Sequence, residues 1–393
     1  MNTKRKMRIT ILTKVFPPFS FGGSETYTME LARQLSSLRE VETHILCFAP
    51  AEKEVVEKIE RKEGYQIHVV GVFFKRFRLI GSLVNYIKTY FSLLKTLKQL
   101  KPDVLQTIGI YSETIFALSI ARKLRIPVVV FPRGSDLNKK LGFFRSIIYK
   151  YGVFGRADAI FSQTLVALQS FKKQSLLGKG EKELLLKVIP NALDISGLPE
   201  GKKEEGGKEV FRVLWVGRFE KVKRPFLALK IFSRFVEMVK ERGEEGVQLV
   251  MVGDGSLFEE LKEEAKKLNN VVLKGKLERE EIFQLMAGGD VLINTSSSEG
   301  FPMTFLEGMA YGLPIVCFEV SANSEIVRDG ENGFVVRERD LHLFAERLFE
   351  LFSSPEMRLR IGEKNRKKAE EYSWKHILPQ ILEVYEALAK RKK

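Results

Sequence analysis

The chain is 393 residues long, 44% apolar and 29% charged, with 65 Lys and Arg against 50 Asp and Glu for a formal net charge of +15. That length exceeds the roughly 250 to 300 residues one hydrophobic core sustains, so two domains are expected. No apolar run approaches the roughly 20 residues that span a bilayer, Ile9 to Phe16 is broken by Lys14 and lacks a small-residue cleavage site, and the two cysteines, Cys47 and Cys317, make no disulfide framework.

Short β-rich runs alternate with helical periodicity through the first half. The runs are Arg8 to Val15, Val41 to Phe48, Gln66 to Phe73, Asp103 to Thr107, Val128 to Phe131, Ala159 to Ser162 and Lys187 to Ile189. Between them lie helical patterns such as Thr26 to Leu38 and Thr114 to Leu124. Near-continuous apolar strands separated by helices predict a parallel sheet covered on both faces. Residues 196–209, SGLPEGKKEEGGKE, carry Gly, Pro and charge with almost nothing to bury, and read as a linker.

The alternation then restarts with Phe211 to Val216, Gln248 to Val252, Val271 to Lys274, Val291 to Thr295, Ile315 to Phe318 and Gly333 to Val336. The expectation is an α/β chain of two doubly wound, Rossmann-like domains, 1–195 and 210–373. They would face each other across a cleft at the carboxyl ends of their strands, where ligands of open α/β sheets bind. The closing segment 374–393 is helical, with Ile377, Ile381, Leu382, Tyr385 and Leu388 on one stripe.

The two halves differ sharply in charge. Residues 1–195 hold 32 Lys and Arg against 16 Asp and Glu, whereas the remainder holds 33 against 34. The whole basic excess belongs to one half, which is expected to face something anionic. His44, His68, His342 and His376 show no ligand spacing and no Asp-x-Asp occurs, so no protein-held metal is expected. Lys and Glu abound while Asn and Gln number ten each, a bias associated with thermophiles.

Three constellations carry candidate chemistry. Gly217, Arg218 and Lys223 follow the first strand of the second domain, just before a helix predicted to start near Val222. Their cations and that helix's free N–H groups suit a diphosphate, although two solvated basic residues would look the same. Next, Glu299 precedes a helix with Pro302 in its first turn and Glu307 one to two turns inside it, and the N–H groups of Phe301, Met303 and Thr304 at that helix start are expected to be free to meet phosphate oxygens. Carboxylates beside an anion site repel phosphate unless they bind hydroxyls, which a nucleotide sugar supplies. Last, Gly22 and Gly23 join the first strand to the first helix, where the lack of a Cβ lets a ligand approach the backbone. No GxGxxG dinucleotide fingerprint is present.

Taken in order, Gly22-Gly23, Asn191-Ala192-x-Asp194, Gly217-Arg218 with Lys223, Gly253-Asp254-Gly255, Glu299-x7-Glu307, Gly312-x-Pro314 and Asp329-Gly330-x-Asn332-Gly333 resemble the retaining glycosyltransferases of family 4, with the GT-B architecture. The resemblance implies a nucleoside diphosphate sugar donor held mainly by the C-terminal domain, without metal. It places Arg218 and Lys223 on the diphosphate, Glu307 on the ribose and Glu299 on the donor sugar, with Gly217 and Gly253 lining the nucleotide and Gly22 and Gly23 closing from the other side. It also implies that the last helix crosses back to the first domain. Where many members carry histidines, this chain has Gln106 and Pro132-Arg133-Gly134-Ser135-Asp136, so Arg133 and Asp136 stand where donor sugar and acceptor would be met.

The acceptor is expected to be a glycan or lipid-linked, in the cytoplasm, with peripheral contact to the inner face of the cell membrane. Phe73 to Lys101 carries seven cations and no acid, interleaved with apolar residues at helical spacing. A core-facing helix and an interfacial helix on anionic lipid share that pattern. A nucleotide-sugar epimerase, a glycan phosphorylase and a non-catalytic binder of anionic ligands stand as alternatives. A nucleic-acid binder is not expected, because no recognised motif is present.

Overall fold

The computed structural model describes residues 5–16, 23–50, 60–62, 64–73, 80–133, 146–173, 184–196, 198, 210–320 and 322–391. Gly22, Asp136 and most of 196–209 lie outside the described residues. The chain divides into two compact units, Met1–Asn191 with Ile377–Lys393, and Ala192–His376.

The first unit runs β1 (Met7–Thr13), α1 (Gly23–Ser36), β2 (Val41–Pro50), β3 (Glu60–Lys62), β4 (Tyr65–Phe73), α2 (Ile80–Leu100), β5 (Val104–Ile108), α3 (Ser112–Lys123), β6 (Val128–Phe131), β7 (Ala159–Ser162), α4 (Leu165–Lys173) and β8 (Leu185–Val188). The sheet order is β3-β4-β2-β1-β5-β6-β7-β8, all parallel except β3 against β4. Strand β1 pairs with β2 on one side and β5 on the other, so the winding reverses there. A π-helical turn, Ile148–Val153, stands where an ordinary helix is the rule. Leu12, Leu46, Leu105, Val128 and Ile160 pack one sheet face against Leu97, Leu118 and Phe154. Each such side chain taken out of water contributes about 1.5 to 3 kcal/mol.

The second unit runs β9 (Phe211–Val216), α5 (Pro225–Glu241), β10 (Val247–Val252), α6 (Phe258–Ala265), β11 (Val271–Leu273), α7 (Arg279–Ala287), β12 (Val291–Asn294), α8 (Met303–Ala310), β13 (Ile315–Phe318), α9 (Asn323–Ile326), β14 (Gly333–Val336), α10 (Leu341–Ser353) and α11 (Pro355–Glu371). Its six strands are all parallel, in the order β11-β10-β9-β12-β13-β14. Alternation along β9 shows why both faces are apolar: Phe211, Val213 and Trp215 enter one core, while Leu214 enters another with Val250, Leu292 and Phe305.

Helix α12 (Trp374–Arg391) closes the chain, and its residues from Ile377 onward belong to the first unit. Ile381, Tyr385 and Leu388 are fully buried. The Tyr385 hydroxyl donates to Oε1 of Gln106. Lys187 Nζ lies 2.7 Å from a Glu383 carboxylate oxygen. Gln106 stands in the middle of β5, fully buried, and is a core partner of α12.

Candidate active site

In the second unit β9 pairs with both β10 and β12, so its carboxyl end is the topological switch point. Loops from three strand ends meet the requirements of that position. The Gly217 N–H donates to the Val252 carbonyl at 3.0 Å, and the Gly253 N–H donates to that of Gly275 at 2.8 Å. Gly253 has φ +148°, and a Cβ there would lie 1.8 Å from the Gly217 carbonyl oxygen. Only glycine permits that approach of the two strand ends.

The segment after β9 differs from the predicted helix start at Val222. Residues Lys221–Lys223 form a single 3-10 turn, Arg224 takes a left-handed conformation at φ +50°, and α5 begins at Pro225. Proline fits a first helical position because its missing N–H is not needed there. Arg218 is exposed and makes no ion pair among the described residues. Lys223 pairs instead with a carboxylate from the loop after β12.

The loop after β12 rides on this turn. Thr295 Oγ1 donates to the Lys223 carbonyl at 2.9 Å and accepts from Trp215 Nε1 at 3.0 Å. The Ser297 N–H donates to the Val222 carbonyl at 2.8 Å. These bonds bring Glu299 onto Lys223, whose Nζ lies 2.7 Å from Glu299 Oε1. The same oxygen accepts from Asn294 Nδ2 at 3.0 Å and from Ser296 Oγ at 2.6 Å. Glu299 is 7% exposed, and a carboxylate that deep is held only when paired and hydrogen-bonded.

Helix α8 follows directly. Pro302 is its extended N-cap, one position earlier than a first-turn proline, and offers no side-chain cap. Its carbonyl accepts from the Phe305 N–H at 3.1 Å, leaving the N–H groups of Met303 and Thr304 without partners among the described residues. Phe301 turns its ring edge-on to Tyr372 at 5.6 Å. Glu307 is half-buried on α8, more than a turn beyond Pro302. Burial pushes its carboxyl above the usual range, against the pull of the Arg279 guanidinium.

In the first unit Arg133 follows β6 and is buried. Its guanidinium lies 4.6 Å from the Tyr27 ring centroid and 5.1 Å from that of Phe131, and Nη2 donates to Asn191 Oδ1 at 2.9 Å. Gln163 Nε2 donates to the same oxygen at 2.9 Å. The delocalised cation is thus held by two ring faces and an amide. Gly23 opens α1, is exposed, and a Cβ there would meet nothing within 4 Å. Among the described residues nothing around it demands glycine.

Sequence reasoning left Asn294, Ser296 and Gln163 without roles. The signal for the first two was the polar run Asn294 to Glu299 directly behind an apolar strand. Nothing local marks Gln163, because its partner Asn191 is 28 residues away.

Among solved structures, the chain superposes on sucrose-phosphate synthase from Thermosynechococcus elongatus with a TM-score of 0.76 at 16% identity, covering 98% of this chain and 99% of that one. Anabaena HepE in complex with UDP and glucose gives 0.75 at 18% identity, covering 97% and 100%. Two parallel-sheet Rossmann-like units in this arrangement of strands define the GT-B class of glycosyltransferase fold. Residues 21–196 match the model of Glycosyltransferase Family 4, and residues 200–368 match Glycosyl transferases group 1. An uncharacterized glycosyltransferase of Methanocaldococcus jannaschii is 24% identical over 386 residues, 96% of this chain and 98% of that protein. N-acetyl-alpha-D-glucosaminyl L-malate synthase of Bacillus anthracis is 28% identical over 189 residues, 47% of this chain and 48% of that one. The chain belongs to the group 1, family 4 glycosyltransferases and is a transferase enzyme.

Proposed function

We propose that the protein moves a hexose or related sugar from a nucleoside diphosphate sugar to an acceptor hydroxyl with retention at the anomeric carbon. The observation that carries this is the Lys223–Glu299 pair beside the uncapped start of α8, with Glu307 farther along the same helix. In this reading the second unit holds the donor. Met303 and Thr304 N–H groups, Arg218 and Lys223 take the diphosphate, Glu307 takes the ribose hydroxyls and Glu299 a hydroxyl of the sugar. Gly22, Gly23, Arg133 and Asp136 belong to the acceptor-side unit. The bond from the anomeric carbon to the diphosphate oxygen breaks and a bond from the acceptor oxygen to that carbon forms. The acceptor proton passes to the departing diphosphate. Charge grows on the leaving group, so cations and amide dipoles placed on it act most strongly in the transition state, and no metal is called for. HepE has been solved with UDP and with UDP-glucose, which makes uridine the first base to try.

The acceptor is proposed to be a glycan or a lipid-linked molecule met at an anionic membrane surface. No helix among the described residues is long and apolar enough to cross a membrane. Support comes from the face of the first unit built by α2 and α3. Tyr86, Ile87 and Phe91 are exposed on α2 beside exposed Lys88, Lys95 and Lys98, and α2 contains no acid. Tyr86 packs edge-on against Phe116 of α3 at 5.7 Å, and Ile148 and Tyr151 stand exposed on the π-helical turn. The one acid of α3, Glu113, is buried. Apolar tips ringed by cations suit an interfacial seat, each nearby cation adding about 1 kcal/mol. Sedimentation with phosphatidylglycerol-containing vesicles and not with pure phosphatidylcholine is expected; equal binding to both would refute the anionic surface.

The donor is tested by thermal stabilisation with UDP, GDP, ADP and their sugars, since binding to the native state raises stability with ln(1 + [L]/Kd). Glu307→Ala should then lower nucleoside diphosphate affinity by calorimetry. An unchanged affinity refutes the ribose role.

A further inference from the structure

The donor reading above assigns Glu299 to the sugar but leaves open what aims it. We infer that Asn294 and Ser296 are positioning residues that fix which oxygen of Glu299 the donor sugar meets, and thereby select a sugar presenting a hydroxyl at that point. This rests on the glycosyl-transfer reading of the site.

Three donors share Glu299 Oε1: the Lys223 ammonium at 2.7 Å, the Asn294 amide at 3.0 Å and the Ser296 hydroxyl at 2.6 Å. They saturate that oxygen, and among the described residues Oε2 has no hydrogen-bond partner. Lys223 alone would not orient the group, because its side chain is long and 23% exposed. Asn294 and Ser296 have short stems and are 7% and 1% exposed, on the end of β12 and the residue pair after it. The Ser296 N–H donates to Asn294 Oδ1 at 3.1 Å. That bond settles which way the Asn294 amide points, because its oxygen is taken by a backbone donor and its NH2 must face the carboxylate. A relay from backbone N–H through amide to carboxylate therefore holds Glu299 rigidly to its strand.

The chemical consequence is selective. An ionised carboxylate only accepts, so Oε2 can bind an O–H or N–H of the sugar and leaves a deoxy or O-alkylated position unmatched. Lys223 meanwhile spends part of its charge on Glu299, so the diphosphate and the sugar hydroxyl are read by two ends of one network. Neither Asn294 nor Ser296 needs to touch the donor.

The test compares Ser296→Ala, Ser296→Thr and Asn294→Leu with the unaltered protein by calorimetric titration of UDP, GDP and ADP against UDP-glucose, GDP-mannose and ADP-glucose. Ser296→Ala and Asn294→Leu are expected to bind the bare diphosphate within about twofold of normal and the corresponding sugar nucleotide five- to tenfold more weakly. Ser296→Thr, which keeps the hydroxyl, restores the difference. Equal weakening of both ligands means a merely structural role and overturns the inference, as does no change in either. If the unaltered protein binds none of the six, the donor reading itself fails, which is a separate result. Melting curves matching the parent establish that each variant is folded, and Ser296→Ala, the smallest change, decides the question if Asn294→Leu does not fold.

Discussion

Replacing Lys223 by methionine removes the ammonium from Glu299 while keeping most of the stem. At 2.7 Å two unit charges in a surroundings of effective dielectric 20 attract by about 6 kcal/mol, an upper bound that desolvation offsets. Stranding one member of a buried pair costs about 3 to 5 kcal/mol. Here the stranded carboxylate keeps Asn294 and Ser296, and Lys223 was 23% exposed, so the expected loss is smaller, about 2 kcal/mol. Glu299→Gln in the same chain should recover much of it, because a neutral amide does not need the ammonium. The four members of the double-mutant cycle are compared by urea unfolding. Both tryptophans, Trp215 and Trp374, are buried in the second unit, so indole fluorescence follows the unit that contains the pair. With a slope of about 2 kcal/mol per molar urea the midpoint of Lys223→Met falls by about 1 M. A coupling energy below about 0.5 kcal/mol would refute the reasoning, since it would mean the pair is an ornament of the ligand-free chain.

Arg218→Ala should leave stability within about 0.5 kcal/mol, as its side chain is exposed, yet lower sugar transfer at least about tenfold; normal turnover removes it from the diphosphate. Gly253→Ala is expected to destabilise the second unit by about 3 kcal/mol or more, its Cβ falling 1.8 Å from a carbonyl oxygen. Gly217→Ala, whose new atom would have the Trp215 ring as its nearest neighbour at an ordinary 3.4 Å, should melt near the parent, and similar losses in both would contradict the geometry. Acid should weaken the first unit through its paired imidazoles: His44 Nδ1 lies 3.2 Å from His68 Nε2, and burial, then the neighbouring His44, lower His68 to about 4. Burial likewise lowers His44, with Glu42 opposing. The unfolded chain binds these protons first, so stability falls from about pH 6.5 down to about 4 and levels off below. The loss is on the order of 2 kcal/mol for His68 once residual solvent access is allowed for. Unfolding followed by circular dichroism should show this drop in the parent and not in His44→Asn/His68→Gln; parallel curves would dismiss it.

Strand positions were legible because each buried parallel strand is a short run of Val, Ile, Leu and Phe between helical patterns, and Phe211–Val216, Val128–Phe131 and Ile315–Phe318 stand where their residues indicate. Glu60–Lys62 was not, since an antiparallel edge strand of three charged residues carries no apolar signal. The start of α5 was misjudged at Val222 because the left-handed residue that ends the turn is Arg224, and nothing in an arginine announces φ +50°. The candidate residues after β9 and β12 were visible as motifs, but their partners were not. Lys223 and Glu299 are 76 residues apart, and only the pairing of β9 with β12 makes them neighbours. Gln106 was visible only as a departure from the family's histidine, and its bond to Tyr385, 279 residues later, makes it part of the interior.

That bond bears on the order in which the protein is made. Helix α12 follows the whole second unit in the chain, so it leaves the ribosome after that unit, yet Ile381, Tyr385 and Leu388 complete the interior of the unit synthesised before it. The amino-terminal sheet must wait with the polar Gln106 side chain and an apolar slot uncovered while some 185 residues are still being translated, roughly ten to forty seconds at ordinary elongation rates. The first unit to emerge is thus the last to be finished, and chaperone demand during synthesis should fall on it rather than on its self-contained neighbour.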